Sequence, residues 1–419
     1  IPKRDWSSDV CSSDLREHAL AWGLRADGVE VTVSPGNAGM AAHGFRCVST
    51  SPVDLTADLF VIGPEVPLVA GLADILRQQG KVVFGPGADG AQLEGSKAFM
   101  KKFLADANVA TAHYGAFNSL DEALRYVRSM SPPYVIKTDG LAAGKGVLVT
   151  NSLVEAENDI REKLSGAAFG PAGTTVIIEE GLDGDECSLL VLVDGQRAVP
   201  LVPARDYKRV GDGDHGPNTG GMGAFAPLGV DDALVDVTMT TIIEPTMREL
   251  RRRQIDYRGV LYAGLMVTPR GPKLLEYNVR FGDPETEVIV PLMGRGLFDV
   301  LDATARGSVT AQPINEHGAC VTVVLAADGY PQSPRSGDVI TGLGSDGQLA
   351  TPRDGVTVFH AGTRQRPSGE FETAGGRVLA VTAVAEKRSI ARRLAYDAAQ
   401  QISFAGMVMR TDIAEKGLP

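Results

Sequence analysis

From residue 16 to about residue 93, apolar positions switch regularly between two periods. "REHALAWGLRADG" and "LVAGLADILRQQG" repeat them at helical spacing, whereas "EVTVSPG", "DLFVIGPE" and "KVVFGPG" are short apolar runs that stop at Gly or Pro. The alternation predicts a small parallel α/β domain over 16–93. Ligands of such sheets sit beyond the carboxyl ends of the strands, here the loops "SPGN" (34–37) and "GPEVP" (63–67). The helical pattern "LEGSKAFMKKFLADANV" then opens a second unit over 94–311. Its strands "YVIKT", "GVLVT", "TTVIIEE", "CSLLVLVDG", "VLYAGLMVTP" and "KLLEYNV" meet at hairpin-like junctions. The remainder, 312–419, carries "ACVTVVLAADG", "GVTVFHAGT", "RVLAVTAVAE" and an amphipathic helix "KRSIARRLAYDAAQQI", which reads as a third, α+β module with no obvious catalytic cluster. The expected class is a multidomain α/β and α+β protein.

At 419 residues the chain is long enough for two to four ordinary domains. Its 41 Lys and Arg against 52 Asp and Glu leave a net charge of −11, which argues against a nucleic-acid partner, since phosphate binding needs a basic surface. Cys11, Cys47, Cys187 and Cys320 show no CxxC spacing, so neither a zinc site nor a disulfide framework is indicated and a reducing, cytoplasmic setting is expected. No apolar run approaches the roughly 18 residues of a membrane helix, and the N-terminus lacks a signal-peptide profile, so no membrane partner is expected. The 49 glycines gather at the ends of apolar runs, as tight loops at strand ends require.

The stretch "YVIKTDGLAAGKGVLV" (134–149) places a lysine among glycines between two apolar runs. A P-loop is excluded: only Leu141, Ala142 and Ala143 separate Gly140 from Gly144, Gly146 follows Lys145, and β-type residues come next. A strand, a glycine-rich turn and a returning strand instead make a flap whose N–H groups can close over phosphates, with Lys137 as fixed positive charge. An ordinary glycine-rich hairpin accounts for the stretch equally well. "VIIEEGLDGDE" ends a strand with Glu179 and Glu180 and then offers Glu186, which suits an adenine edge and ribose hydroxyls or a plain acidic edge. In "KLLEYNVRFGDPE", a two-residue period puts Glu276, Asn278 and Arg280 on one face. A carboxylate beside an amide oxygen suits a hard cation holding ATP phosphates. An exposed polar face explains the alternation too, but not the added cluster of Arg280, Asp283 and Glu285 around a Gly-Asp-Pro turn.

Other patterns lead nowhere. "GPGADG" (85–90) matches a dinucleotide fingerprint without the later acidic residue, and "DGDHG" (212–216) lacks the glutamate of a calcium loop. No HxxxH or G-x-S-x-G occurs, which leaves zinc and serine hydrolase chemistry without support.

In order along the chain, "REHALAW", "SPGN", "GPEVPL", "EGSKAFMKKF", "VIKTDGLAAGKGV", "RDYKRVGDGDHGPNTGGMGAFAP", "GVLYAGLM" and "EYNVRFGDPETE" resemble the phosphoribosylamine–glycine ligases (glycinamide ribonucleotide synthetases) of the ATP-grasp superfamily. The resemblance runs from residue 16 almost to the end, and the segment from 206 to 223 is its most specific part. It implies a central ATP-grasp domain with a glycine-rich flap, and ATP-dependent joining of glycine to phosphoribosylamine in purine synthesis. It further implies that Lys97, Lys137 and the loop with Gly144, Lys145 and Gly146 hold ATP phosphates, with Glu179, Glu180 and Leu182 at adenine and Glu186 at ribose. Glu276 and Asn278 match the family's ligands for Mg²⁺ or Mn²⁺. Asn218, Thr219, Gly220, Gly221, Arg280 and Asp283 fall where glycine and phosphoribosylamine are expected, with Glu65 near the sugar; Lys137, Arg280 and Asp283 carry the catalytic expectation. A monomer or weak dimer is expected.

The chain departs from that family at its start. The family begins with an apolar strand and a "GSGGREHA"-type loop, but here "IPKRDWSSDVCSSDL" precedes "REHA". Residues 1–15 show no strand pattern, lack the loop's glycines, and read like the translation of a sequencing-adapter oligonucleotide, so they are expected to be non-native and the first strand missing. Losing about four buried apolar side chains, at about 1.5 to 3 kcal/mol each, rivals the roughly 5 to 15 kcal/mol net stability of a domain. A poorly folded first domain is the expectation, and a non-catalytic nucleotide-binding protein is the alternative function. Biotin carboxylase-like and D-alanine ligase-like ligases are the enzymatic rivals, and the 206–223 segment argues against both.

Overall fold

Five short strands build the first sheet: β1 (Asp5–Asp9), β2 (Glu30–Ser34), β3 (Arg46–Cys47), β4 (Phe60–Ile62) and β5 (Val83–Phe84). They lie in the order β3-β2-β1-β4-β5, every neighbouring pair parallel, as the alternating pattern predicts. The structure, a computed structural model, describes residues 5–9, 14–140, 146–166, 175–229, 232–310 and 318–416.

The expectation that the first strand is missing is corrected here. The backbone of β1 occupies the centre of the sheet and pairs with β2 on one side and β4 on the other. Polar composition hid it, because a central parallel strand normally reads as a continuous apolar run. What places it is the slot itself: β2 and β4 each present an unpaired edge whose N–H and C=O groups need partners, and a backbone of any composition supplies them. The chain order reverses at β1, so the crevice beyond the carboxyl ends of β1 and β4 is the topological switch point of the sheet. The helix α1 (Leu15–Ala26) starts on one side of it, with a capping box in which Asp14 caps the helix and the Glu17 carboxylate accepts the Asp14 N–H at 2.9 Å. On the other side Glu65 opens a short helix, Glu65–Val69. The single helix read in "LVAGLADILRQQG" is broken there by Gly71, whose φ of +84° suits glycine, and restarts as Leu72–Gln78.

The helix Lys97–Ala107, capped by Ser96, leads into the second unit. There β6 (Tyr114–Phe117), β7 (Tyr134–Thr138), β8 (Val147–Thr150) and β9 (Val176–Glu180) form an antiparallel sheet in the order β6-β9-β7-β8. After it come β10 (Asp185–Asp194), β11 (Ala198–Pro200), β12 (Arg205–Asp206), β13 (Arg209–Gly211), β14 (His215–Asn218) and β15 (Gly223–Ala226). With β16 (Arg258–Thr268) and β17 (Gly271–Asn278), strands β10 and β11 make a second antiparallel sheet in the order β11-β10-β16-β17. The two sheets are joined by Lys273, whose Nζ lies 3.1 Å from Glu180, and by the Thr111–Leu274 bridge.

The last module carries β18 (Ala319–Ala326), β20 (Val356–His360) and β23 (Arg377–Ala385), with the helix Arg388–Ala399 packed on them, alongside a small sheet of β19 (Val339–Ile340), β21 (Thr363–Gln365) and β22 (Phe371–Thr373). Its main sheet runs β12-β15-β18-β23-β20, so two strands that precede residue 311 complete it. The 206–223 segment is therefore woven between the central unit and the last module.

The first and last units meet around three histidines. The His360 N–H donates to His18 Nδ1 at 2.9 Å, which leaves the His18 proton on Nε2, 3.0 Å from His43 Nδ1. His360 Nε2 donates to the Gly347 carbonyl at 2.7 Å while its Nδ1 lies 3.0 Å from Thr363 Oγ1. Phe45 and Phe359 cover the rings, Arg25 faces His18 and His43, and Asp346 faces His43 and His360. Burial first, then the neighbouring cationic groups, hold His18 well below the usual 6.5, and burial holds His43 and His360 at about 4. A group depressed in the folded state binds its proton more tightly when unfolded, so stability present above pH 6.5 drains away as the pH falls through about 4. The loss should be on the order of 3 kcal/mol for the enclosed His360. Urea midpoints between pH 7 and pH 4 should show the fall, and His18→Gln should make it shallower; equal slopes in both proteins would refute the assignment.

Candidate active site

The hairpin β7–β8 is rooted by a short network. Asp139 Oδ1 accepts from Ser96 Oγ at 3.1 Å, from the Ala98 N–H at 3.1 Å and from the Gly140 N–H at 3.0 Å, while Lys97 Nζ donates to the Gly140 carbonyl at 2.9 Å. The glycine-rich turn thus springs from the N-terminus of the helix that carries Lys97. Gly146 closes the turn by accepting the Thr138 N–H at 2.9 Å; Gly144 and Lys145 lie outside the described residues.

Lys137 projects from β7 toward Glu179, at 3.0 Å, and the same carboxylate meets Lys101 at 3.1 Å. Lys101 is fully enclosed, also donates to Thr111 Oγ1 at 2.8 Å, and is lowered to about 8, chiefly by burial. Lys97 is lowered too, by burial against the pull of Glu276 and with the push of Lys137. Lys97 and Lys101 each feel both Glu276 and Lys137, so the three lysines and Glu276 lie close enough to interact electrostatically. Glu180 accepts from the His113 N–H at 3.1 Å, and Glu186 lies 3.3 Å from Lys208 Nζ, which is also 2.7 Å from Asp206. Leu182 is half-buried between them in sequence.

Glu276 and Asn278 stand on β17 opposite Gly264 and Tyr262 of β16. The Glu276 carboxylate accepts no hydrogen bond among the described residues, whereas Asn278 Oδ1 is 3.3 Å from Arg280 Nη2. Arg280 is the hub of the region: its Nη2 donates to Glu94 at 2.9 Å and its Nε to Glu65 at 3.2 Å. Burial would raise Glu65, but the guanidinium holds it below the usual range; for the more enclosed Glu94 burial wins and the carboxyl is raised. Glu285, beside Ser188 Oγ and Tyr262 OH at 2.9 Å each, is pushed up to about 7 by burial and by Asp206.

The glycine pair of the 206–223 segment packs against this hub. Gly221, at φ +107°, lies so close to the Asp283–Pro284 turn that a Cβ would fall 2.3 Å from Pro284 Cδ. The Thr219 hydroxyl is occupied by the turn itself, donating to the Lys208 carbonyl at 2.9 Å and accepting the Gly221 N–H at 3.0 Å. Asn218 pairs with Arg209 across β13–β14 and borders an open cleft of about 460 Å³ whose other wall is Val147, Leu148 and Val149 of β8. Asp283 Oδ2 accepts the Arg16 N–H at 3.2 Å and its Oδ1 meets Arg377 at 2.6 Å. Arg16 turns back onto Glu17 at 2.6 Å, and Glu17 covers Gly63, where a Cβ would sit 2.2 Å from its carboxylate.

The structure brings together Lys97, Lys137, Glu179, Glu276, Asn278, Arg280, Asp283, Glu65 and the Gly220–Gly221 pair. The side chain of Glu179 is turned inward as a counter-ion. Sequence reading missed Glu94, Lys101 and Arg377. Lys101 could have been found, because it follows Lys97 by one helical turn. Glu94 and Arg377 carry no pattern of their own; only the fold carries them to the site.

A family model described as "Phosphoribosylglycinamide synthetase, N domain" matches residues 10–94, the ATP-grasp (A) domain of the same synthetase matches 95–286, and its C domain matches 320–416. The chain is 45% identical to a phosphoribosylamine–glycine ligase of Xanthomonas campestris, covering 98% of the chain and 97% of that protein. It is also 45% identical to a ligase of that name from an Escherichia coli O6:H1 strain, covering 98% of each. The crystal structure of phosphoribosylamine–glycine ligase from Thermotoga maritima superposes with a TM-score of 0.85 at 37% identity, over 98% of this chain and 100% of that one. The biotin carboxylase domain of a Hydrogenobacter thermophilus 2-oxoglutarate carboxylase shares the fold alone, with a TM-score of 0.72 at 15% identity, over 98% of this chain and 92% of that one.

Among the described residues, Glu287 is a buried carboxyl in the region that stands without a partner. Both carboxyl oxygens of Glu287 lack a hydrogen bond, and the residue is fully enclosed. Burial, then the nearby Asp283, raise it well above the usual 4.5. A raised carboxyl favours the folded protein only below its unfolded value, and that contribution is lost as the pH rises through the folded one. Glu287→Gln should therefore differ least from wild type near pH 5 and become progressively the more stable protein as the pH rises, by at most about 1.4 kcal/mol per pH unit while the unfolded chain has lost the proton that the folded carboxyl keeps. Thermal melts of both proteins across that range would check it, and a variant that tracks the wild type throughout would refute it.

Proposed function

The chain belongs to the phosphoribosylglycinamide synthetase family, and from that premise we infer that it joins glycine to 5-phosphoribosylamine at the expense of ATP. The products are glycinamide ribonucleotide, ADP and phosphate, a step of purine biosynthesis. The non-catalytic alternative finds no support among relatives that match over nearly the whole chain. The reading is supported by the gathering of Lys97 and Lys137 near Glu276, with Asn278 and Arg280 next along the same stretch of chain and Arg280 reaching Glu65 at the first sheet's switch point.

The chemistry explains the parts. A carboxylate is a poor acyl donor because its oxygen leaves badly, so the glycine carboxylate first takes the γ-phosphoryl group of ATP and ADP departs. The amine of phosphoribosylamine then attacks the carbonyl carbon, the C–N bond forms, the C–O bond to the bridging oxygen breaks so that phosphate leaves with one former carboxylate oxygen of glycine, and the amine gives up a proton. No protein nucleophile is required. In our reading Lys97 and Lys137 neutralise charge on the moving phosphoryl group, the 140–146 turn closes over it and excludes water, and Arg280 orients the glycine carboxylate. Glu179, Glu180 and Leu182 frame the adenine and Glu186 the ribose. Asn218, Thr219, Gly220, Gly221, Asp283 and Glu65 line the side where the amine substrate enters. Domains over 16–93, 94–311 and 312–419 divide the work.

The donor set of Glu276 and Asn278 fits a hard divalent cation, Mg²⁺ or Mn²⁺: a carboxylate that accepts no hydrogen bond among the described residues and an amide oxygen share a strand face, and ATP phosphates would supply further oxygens. Such a cation adds charge neutralisation at the transferred group. Lys137→Ala and Glu276→Ala should each lower glycine-dependent ADP release by about 100-fold or more, measured with freshly generated phosphoribosylamine. Near-normal turnover in either variant would remove the role assigned to it.

A further inference from the structure

The last module, which carries no catalytic motif, reaches into the site through one side chain. Arg377, at the start of β23, is nearly enclosed and touches all three units at once. Its Nη2 is 3.0 Å from Asp14 at the start of α1, its Nη1 is 2.6 Å from Asp283, and Nη1 also donates to the Gly220 carbonyl at 2.5 Å. The other face of Gly220 is held by the same module, its N–H donating to Tyr330 OH at 2.9 Å. The Tyr330 ring packs against Gly376, the residue before Arg377, where a Cβ would fall 2.3 Å from Tyr330 Cδ2.

We propose that Arg377, assisted by Tyr330, is the positioning residue for the phosphoribosylamine half of the reaction: it holds the Gly220–Gly221 loop, Asp283 and the start of α1 in register around the switch-point crevice. The inference rests on the proposed ligase function. Glycine must lie at the transferred phosphoryl group, beside Lys97, Lys137 and Arg280, and no described contact links Arg377 to those lysines. The crevice beyond β1 and β4, which Arg377 borders through Asp14 and Asp283, is left for the amine substrate. The electrostatic logic is equally local. Asp14 and Asp283 share one guanidinium, and with it removed the enclosed Asp283 and the partly exposed Asp14 would repel, releasing the Arg16 N–H from Asp283 and the Gly220 carbonyl from its donor. A lysine restores the charge but not the planar fork that reaches three acceptors.

Steady-state kinetics of Arg377→Gln, Arg377→Lys and Tyr330→Phe, with phosphoribosylamine made from ribose 5-phosphate and ammonia, test the proposal. Arg377→Gln should raise the KM for phosphoribosylamine by about tenfold or more, with the KM for ATP and for glycine within about twofold of wild type. Arg377→Lys should recover part of the loss, and Tyr330→Phe, which removes only the hydroxyl, should raise the same KM by about threefold. Parallel rises in all three KM values, or a fall in kcat with unchanged KM values, would overturn the proposal. If Arg377→Gln does not fold, the Lys and Phe variants decide, and a phosphoribosylamine KM unchanged in both overturns it. A wild-type protein without glycine-dependent ADP release would instead refute the ligase reading on which it rests.

Discussion

The site depends on one largely buried guanidinium, that of Arg280, whose side chain keeps about 17% of its surface in water. Arg280 follows directly from the strand that carries Glu276 and Asn278, yet it is compensated from outside that strand, by Glu94 before the helix of Lys97 and by Glu65 at the switch point of the first sheet. A largely buried cation of this kind is held by both of its carboxylates together, since breaking a buried pair by removing one partner leaves a charge uncompensated. The requirement turns three separate pieces of chain into one rigid corner. The Asn278 oxygen, 3.3 Å from the same guanidinium, is thereby aimed as well.

Charge is distributed around this corner with a consistent logic. Lys101 and Lys137 share one carboxylate, Glu179, so that two cations in an enclosed place meet a single negative charge. The other carboxylates are sorted by burial. Glu65 keeps enough solvent for the guanidinium to win, while burial prevails at Glu94, Glu285 and Glu287. Ionising all of these acids together would set several negative charges side by side, and burial works against that.

How much of this was legible beforehand differs by residue. Strands β2, β4, β7, β9, β10, β16, β17, β18 and β23 announce themselves by apolar runs ending at glycine, proline or charge, because each buries a face that must be apolar whatever it packs on. The Glu276–Asn278–Arg280 spacing was legible because a strand alternates faces strictly. Glu94 and Arg377 were not, since each becomes a site residue only through contacts more than 150 positions away in sequence: Glu94 with Arg280, and Arg377 with Gly220 and Asp14. The split of "LVAGLADILRQQG" at Gly71 was missed because a lone glycine inside a helical pattern is usually tolerated, and only its left-handed backbone declares a break.

Strand β1 shows the limit of pattern reading most clearly. Hydropathy reports what side chains prefer, and "DWSSD" prefers water, but a vacant central slot between two parallel strands is a demand of the backbone. Every residue can answer that demand except proline, which has no N–H. The register then follows from the neighbours: Ser7, for example, is aligned with Thr32 on one side and Phe60 on the other. That alignment delivers the chain to Asp14, whose cap starts α1 and whose carboxylate reaches Arg377. A segment that fails every test of strand composition thus still fixes where the helix begins. The position of that helix, more than the chemistry of the strand, decides whether the first unit and the last meet across the Gly220 loop.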